Sequence, residues 1–355
     1  MTDAISDEFE RALAGLCSDD RLRAIEAGSL ADAETQWVEI DALGFTDALV
    51  PACHGGVGLS LEEAWPLLLA AGYAGLSVPF GETMIARALL VDRGWASDGG
   101  CIAIARAQHS DEDAVTCSDV SGALLARHVL VERAEAWLLM PCERAHSVPG
   151  AYRPHVSATL RWESANEAVF RLPRGAESAE SICSAVHAAA MAGVMQRVLA
   201  LTVEYASDRR QFGKAIGQFQ AIQQELAVLA AQATSTVMAA RMGCAARGAL
   251  PDPLLAAAAK LRACEAAEKV STVAHAVHGA IGITREHMLG VFTNRLHEWR
   301  MSPGVESRCA ALIGESLLDS SDSAGRSLID FVRARLTAGD VSGGVTASEL
   351  AEQAE

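Results

Sequence analysis

Apolar residues recur at steps of three or four over much of the second half of the chain. The clearest such stripe comprises Val186, Ala190, Val194, Val198 and Leu201. This spacing is that of one face of an α-helix. The pattern therefore predicts a helix over residues 181–206.

The positions of proline separate the predicted elements. Residues 174–250 and 254–302 contain no proline and are rich in Ala, Leu, Gln, Glu and Arg, and proline would break a helix interior. A second helix is predicted from Phe219 to about Gly248, and a third from Leu254 to His278 before a glycine-containing turn. Long helices joined by short loops predict an antiparallel bundle.

The pattern changes between Cys101 and Pro173, where apolar runs are short or alternating and are bounded by Gly, Pro and Ser. Such runs predict a small β domain, and the first hundred residues read as helical again. The predicted fold class is therefore α+β, mainly α. The predicted domains are an N-terminal helical domain (1–99), a middle β domain (100–176), a C-terminal antiparallel four-helix bundle (177–337) and a disordered acidic tail (338–355).

Composition adds that the chain is acidic and aliphatic. Its 355 residues are 50% hydrophobic but only 5% aromatic, with a net charge of −16. No basic run offsets this charge, which argues against nucleic acid or an anionic membrane as partner. The N-terminus lacks a basic flank followed by an apolar run, and the apolar runs are shorter than a bilayer span. Nine scattered cysteines without a CxxC pair suit a reducing compartment. We expect a soluble cytoplasmic protein.

Several candidate motifs favour structural roles. The glycines of residues 55–58 are not followed by lysine and lack the GxGxxG order, so they predict a turn. His275 and His278 lie three positions apart on a predicted helix end, where structural histidines are the better interpretation. No GxSxG, HExxH or paired CxxC motif occurs. The sequence therefore predicts no metal site.

The segment from Tyr205 to Gln223 differs, because it places two arginines and a lysine beside a glycine turn between two long helices. Arg209 and Arg210 offer forked donors suited to a pyrophosphate, and the next helix N-terminus adds backbone donors. Four apolar side chains are suited to cover a flat ring: Phe212, Ile216, Phe219 and Ile222. A solvated helix end with core aromatics is the alternative, and the residue types leave both open.

Two segments carry a resemblance to a known family. Residues 209–223, RRQFGKAIGQFQAIQ, resemble the RxQFGxxIxxFQxxQ signature of the acyl-CoA dehydrogenases. Residues 276–287, AVHGAIGITREH, resemble the QxHGGxGxTxEH turn of the same family. Weaker similarity covers residues 45–58 and 75–83, and the predicted order of helix, strand and helix is also that of the family.

The resemblance implies an FAD flavoprotein that desaturates an acyl-CoA thioester between its α and β carbons and passes electrons to an electron-transfer acceptor. In the family, one set of positions reaches the adenosine diphosphate part of FAD, usually that of a neighbouring subunit. They correspond here to Arg209, Gln211, Phe212, Ile216, Phe219, Ile222, Val277, Gly279 and Ala280. Shared sites of this kind imply a homo- or heterotetramer.

Three departures from the family pattern bear on function. The turn has Ala276 and Ala280 where the family has glutamine and glycine, and residues 101–173 lack the Thr-Glu-Pro, Gly-Ser-Asp and Trp-Ile-Thr stretches that hold the flavin ring. No acid precedes Gly304, where the common catalytic base would lie, and Glu306 just beyond it is the candidate base. A second family location for the base falls near Cys183, with Glu180 one turn away.

These departures resemble subunits of the heterotetrameric bacterial acyl-CoA dehydrogenases that act on steroid side-chain CoA esters, in which two different chains build one site. We therefore expect an acyl-CoA dehydrogenase or a subunit of one, with Glu306 as base unless a partner supplies it. A catalytically silent structural partner is the alternative. A non-redox thioester enzyme on the same fold is a third interpretation.

Overall fold

The structure is a computed structural model that describes residues 2–108 and 113–319 and residue 333. The described part contains these helices: α1 Thr2–Leu16, α2 Asp19–Glu26, α3 Leu30–Ala42, α4 Leu61–Ala74, α5 Phe80–Val91, α6 Ala179–Asp208, α7 Gln220–Gly243, α8 Pro253–His278, α9 Leu289–Met301 and α10 Glu306–Asp319. The tail predicted to be disordered, residues 338–355, lies outside the described residues.

The strands form two sheets between the helical regions and one short hairpin. They are β1 Ile102–Arg106, β2 Val115–Val120, β3 His128–Arg133, β4 Ala136–Pro141, β5 His146–Pro149, β6 Ala158–Trp162, β7 Phe170–Pro173, β8 Arg210–Gln211 and β9 Lys214–Ala215. One sheet has the order β1-β3-β4-β7, in which β1 pairs parallel with β3, and the other has the antiparallel order β2-β6-β5. The predicted fold class is confirmed; the domain limits stay a prediction.

Helix α6 is a core helix rather than an amphipathic surface helix. Ser178 caps its N-terminus by accepting a hydrogen bond from the backbone of Ser181, and nearly every residue from Ala179 to Val198 is buried. A helix that is apolar all round belongs in the centre of a protein. The predicted stripe therefore underestimated how much of this helix is covered.

Helix α6 also bears on whether any segment is long and apolar enough to span a bilayer. Within the described residues, this one helix is long and apolar enough to do so by length and composition. Its most apolar window is 61% buried inside the fold. Burial of that extent is typical of the core helix of a globular domain.

Helix α7 ends at Gly243, five residues before the predicted end at Gly248. The residues that follow Gly243 form hydrogen bonds with another helix, α4. The carbonyls of Ala246 and Gly248 accept hydrogen bonds from the backbone of Glu62 (3.2 Å) and Leu61 (2.8 Å), in the first turn of α4. The first N–H groups of a helix have no partner within it, so this contact ended α7 early.

Helices α4 and α6 approach each other at glycine. A Cβ atom on Gly72 would lie 2.1 Å from the carbonyl oxygen of Ala190, and one on Gly193 would lie 2.1 Å from that of Leu69. Only glycine permits such backbone contact. One continuous apolar core consequently includes residues from the N-terminal helices, the sheets and the bundle.

A buried ion network joins the same three regions. Arg153, in the loop before β6, bonds to Glu26 of α2 and to Glu298 of α9, both at 2.7 Å. Arg295 of α9 reaches Glu26 at 3.1 Å and the hydroxyl of Ser77 at 2.8 Å. Burial alone would raise the pKa of Glu26, but Arg153 and Arg295 hold it below its ordinary value.

We expect Gly193→Ala to destabilise the fold by about 1–3 kcal/mol, because the added methyl group forces α4 and α6 apart. Urea unfolding followed by circular dichroism measures the change. Gly314→Ala is the matched control, since a Cβ atom at Gly314 of α10 meets no atom of the described residues within 4 Å. The control variant should be neutral or slightly more stable, and equal losses in both variants would contradict the packing argument.

We expect Glu26→Gln to cost about 3–5 kcal/mol at pH 7, because it leaves two buried guanidinium groups with one carboxylate fewer. Because the pKa of Glu26 is lowered in the folded protein, its ionised carboxylate stabilises the fold fully above the ordinary pKa of 4.5. This contribution to stability is lost as the pH falls through the lowered pKa. The free energy of unfolding, measured from pH 7 to pH 3, should therefore fall less steeply for the variant than for the wild type. Glu34→Gln, at an exposed site of α3, should retain the wild-type pH profile.

Candidate functional site

The loop between α6 and α7 forms a protruding hairpin. Strands β8 and β9 pair through Gln211 and Lys214, and the two residues between them have positive φ, 52° at Phe212 and 82° at Gly213. Positive φ at both central positions is typical of a type I′ turn, which fits the strand twist but is unusual for a bulky residue. The turn holds the Phe212 side chain 92% exposed.

The aromatic and basic side chains of this loop lie against each other. The rings of Phe212 and Phe219 meet edge to face, with centroids 6.2 Å apart. The ammonium of Lys214 lies 4.3 Å from the centroid of Phe219. Helix α7 follows at Gln220, and no side chain of the described residues caps its N-terminus. Its first N–H groups are therefore available to an anion.

The C-terminal end of α8 supplies the opposite wall. Helix α8 ends at His278, and Gly279 leaves it with a φ of 64°. A Cβ atom added at Gly279 would meet nothing within 4 Å, so the backbone conformation rather than crowding favours glycine here. The next residues form a short 3-10 turn, Gly279–Ile283, which exposes Ala280.

Both walls enclose one cavity of about 460 Å³. All nine residues predicted to contact a cofactor line it: Arg209, Gln211, Phe212, Ile216, Phe219, Ile222, Val277, Gly279 and Ala280. They come from two segments that are far apart in the chain. The cavity joins a cationic side, an uncapped helix N-terminus and aromatic rings, so it is suited to an anionic group attached to a flat ring.

Three residues that line this cavity were not among the predicted binding residues: Ala276 and the aromatic residues Tyr205 and His278. Their rings stack with centroids 4.5 Å apart. Nδ1 of His278 lies 2.8 Å from the carbonyl oxygen of Ala274, and its Nε2 is buried without a partner in the described structure. Burial lowers the pKa of His278, so the neutral ring donates from Nδ1 and presents Nε2 as an acceptor. The position of His278 inside the second motif, residues 276–287, was the feature of the sequence that could have predicted its place in the cavity.

Glu306 lies elsewhere, at the first position of α10. Its carboxylate is 3.3 Å from the guanidinium of Arg300, and its side chain is 46% exposed. It does not line the cavity of about 460 Å³. Glu180, the other acid considered, lies 3.5 Å from both Arg106 and Arg308. The structure therefore brings the nine predicted binding residues together and leaves the predicted base apart from them.

A buried polar cluster occupies the position just before Gly304. The ammonium of Lys260 donates to the Ser302 hydroxyl at 3.0 Å and to the Pro303 carbonyl at 3.3 Å. Burial lowers the pKa of Lys260. The Ser302 hydroxyl itself donates to the Trp299 carbonyl at 2.7 Å. This hydroxyl is thus fully engaged inside the protein, and sequence reasoning did not anticipate the cluster.

The cluster continues through His187, whose Nδ1 lies 2.7 Å from the Ser302 hydroxyl and whose Nε2 lies 2.7 Å from the Glu82 carboxylate. Serine, histidine and glutamate in this order resemble a hydrolytic arrangement. However, Ser302 is fully buried and its hydroxyl donates to a carbonyl oxygen. The adjoining cavity, lined by Glu82, His187 and Trp299, has only about 30 Å³. That volume admits no substrate.

The C-terminal helices match a known family model. The model for the acyl-CoA dehydrogenase C-terminal domain matches residues 184–317. Among curated relatives, acyl-CoA dehydrogenase IpdE2 of Mycobacterium tuberculosis is 41% identical over 110 residues, which are 31% of this chain and 33% of that protein. The match therefore spans about a third of the length of that relative.

Solved structures match over most of the chain. The ChsE4-ChsE5 complex from Mycobacterium tuberculosis has a TM-score of 0.76 at 18% identity, covering 90% of this chain and 97% of the other. The Tcur3481-Tcur3483 steroid ACAD G363A variant has a TM-score of 0.76 at 21% identity, covering 90% and 98%. These likenesses establish the fold. The resemblance predicted from the two motifs is thus confirmed for the C-terminal helices, since residues 184–317 match the acyl-CoA dehydrogenase C-terminal domain.

Proposed function

We propose that the chain binds FAD and takes part in the α,β-desaturation of an acyl-CoA thioester. One observation carries this proposal: two distant motifs, each resembling the family pattern, line one cavity of about 460 Å³. A chance resemblance in one motif would not produce a shared cavity. The cytoplasm is the proposed location.

The residues present fit the adenosine diphosphate part of FAD. The Arg209 guanidinium and the uncapped N-terminus of α7 would bind the pyrophosphate. Phe219 and Val277 would cover the adenine, and the buried Nε2 of His278 would accept a hydrogen bond from an amino or hydroxyl group. When bound, FAD accepts the hydride that leaves the β carbon of the thioester.

The hairpin supports a site shared between two chains. Phe212 is 92% exposed and is held in a disfavoured backbone conformation. Both the exposed ring and the backbone strain cost free energy, and burial of the ring by a partner would offset that cost. We propose that a second, non-identical chain covers it in a heterotetramer, as the paired chain names of two similar structures suggest. A steroid-like acyl group is proposed from the second of these, and a flavoprotein is proposed as electron acceptor.

A second candidate function is that of a catalytically silent partner subunit. This function is favoured because Pro303, and not an acid, precedes Gly304. The carbonyl oxygen of Pro303 accepts a hydrogen bond from the buried Lys260. The cavity beside this cluster, of about 30 Å³, leaves no room for an acyl chain. In that case this chain would supply part of the FAD surface, and the partner would supply the base and the acyl pocket.

We expect Arg209→Ala to lower the flavin content of the purified complex by at least about fivefold, because a charge-assisted contact to the pyrophosphate is lost. Absorbance at the flavin band, relative to protein, measures it. Arg210→Ala is the matched control, since Arg210 is also exposed in the hairpin but does not line the cavity. Unchanged flavin in Arg209→Ala would mean that Arg209 only terminates a helix.

We propose Glu306 as the base of this chain and expect Glu306→Gln to slow α-proton exchange by about 100-fold or more, with flavin content unchanged. Deuterium exchange of an acyl-CoA by the assembled complex measures it. Glu315→Gln, at an exposed site on the same helix, is the control. An unchanged exchange rate would assign the base to the partner and favour the silent-subunit function.

A further inference from the structure

A second cavity, of about 580 Å³, lies among α1, α2, α4, α6 and α9. It shares no lining residue with the cavity of about 460 Å³ or with the cavity of about 30 Å³. Its volume lies in the range of sites that hold small organic ligands. We propose that it binds an aliphatic or alicyclic monocarboxylate, which is a ligand distinct from FAD and from a CoA thioester.

Arg197 of α6 provides the recognition group. Its guanidinium carbon lies 5.7 Å from the ring centroid of Tyr73 and 5.9 Å from that of Phe292. Both contacts are made with the charged group, and the half-buried side chain has no hydrogen bond or ion pair within the described residues. Its edge N–H donors are therefore free, and their fork matches the two oxygens of a carboxylate.

One part of the wall is suited to an apolar body. Leu13, Leu22 and Phe292 line the cavity and are almost completely buried, and Leu69 and Ala70 continue the apolar surface on α4. Burial of aliphatic carbon here is favourable by roughly 25 cal/mol per Å² of surface. A ligand with one charge and a hydrocarbon body satisfies both parts of the wall.

Two acidic residues on the wall limit the negative charge of a ligand that this cavity can bind. Glu10 and Asp19 are exposed, and neither lies within 4 Å of the Arg197 guanidinium in the described structure. Asp19 is instead 3.9 Å from Arg23. These carboxylates repel a multiply charged anion more strongly than a singly charged one. The cavity therefore disfavours phosphates and the phosphate-rich CoA moiety and accepts a monocarboxylate bound close to Arg197.

Titration calorimetry of the purified full chain with decanoate tests the proposal. We expect saturable one-to-one binding by the wild type, weaker binding of decyl phosphate, and a loss of at least about tenfold in affinity for Arg197→Gln. Arg241→Gln, at an exposed site of α7 outside the cavity, should bind like the wild type. Absence of wild-type binding, or equal affinity in Arg197→Gln, would overturn the proposal.

A second variant tests the same cavity in case Arg197→Gln does not fold. Ala14 is exposed on α1 and lines the cavity, so Ala14→Phe fills the space without disturbing the core. We expect this variant to lose decanoate binding while keeping its circular dichroism and melting temperature. Retained binding would place decanoate elsewhere and overturn the assignment. Because the two cavities share no residue, flavin content in these variants reports independently on the proposed function.

Discussion

The close approach of α4 and α6 is the constraint on which the rest of the structure depends. Because Gly72 and Gly193 present no side chains, the two backbones come into contact. This contact seats the N-terminal helices directly on the bundle. It also divides the space beside α6, leaving about 30 Å³ on the side of His187 and about 580 Å³ on the side of Arg197. The available volumes thus follow from where two helices touch.

The buried ion network complements that apolar contact. Helix packing tolerates small sliding movements, whereas the pairs of Arg153 and Arg295 with Glu26 require defined distances. Charges removed from water are stabilising only when their partners are correctly placed. The network therefore specifies the relative orientation of α2, the β region and α9 rather than adding much to stability. It also lies next to the helices that form the larger cavity.

The two functional regions of the bundle differ in how they relate to the family pattern. At the hairpin and at the end of α8 the pattern is kept except at Ala276 and Ala280, and its residues meet around an open cavity. Before Gly304 the pattern is lost, and Lys260 and Ser302 form a closed polar cluster. The proposal of a site shared between two chains rests on this combination of an open cavity and a closed polar cluster.

The sequence by itself predicted the order of helix, strand and helix, because periodicity is a local property of the chain. Its resemblance to two contiguous family motifs implied the nine binding positions between Arg209 and Ala280 that line the cavity. It did not predict that α7 would end at Gly243, since the carbonyls that follow bond to α4. It also did not predict the role of His278 or the exposure of Arg197 to a cavity. Those features depend on contacts between residues far apart in the chain, and only the tertiary structure decides which distant groups meet.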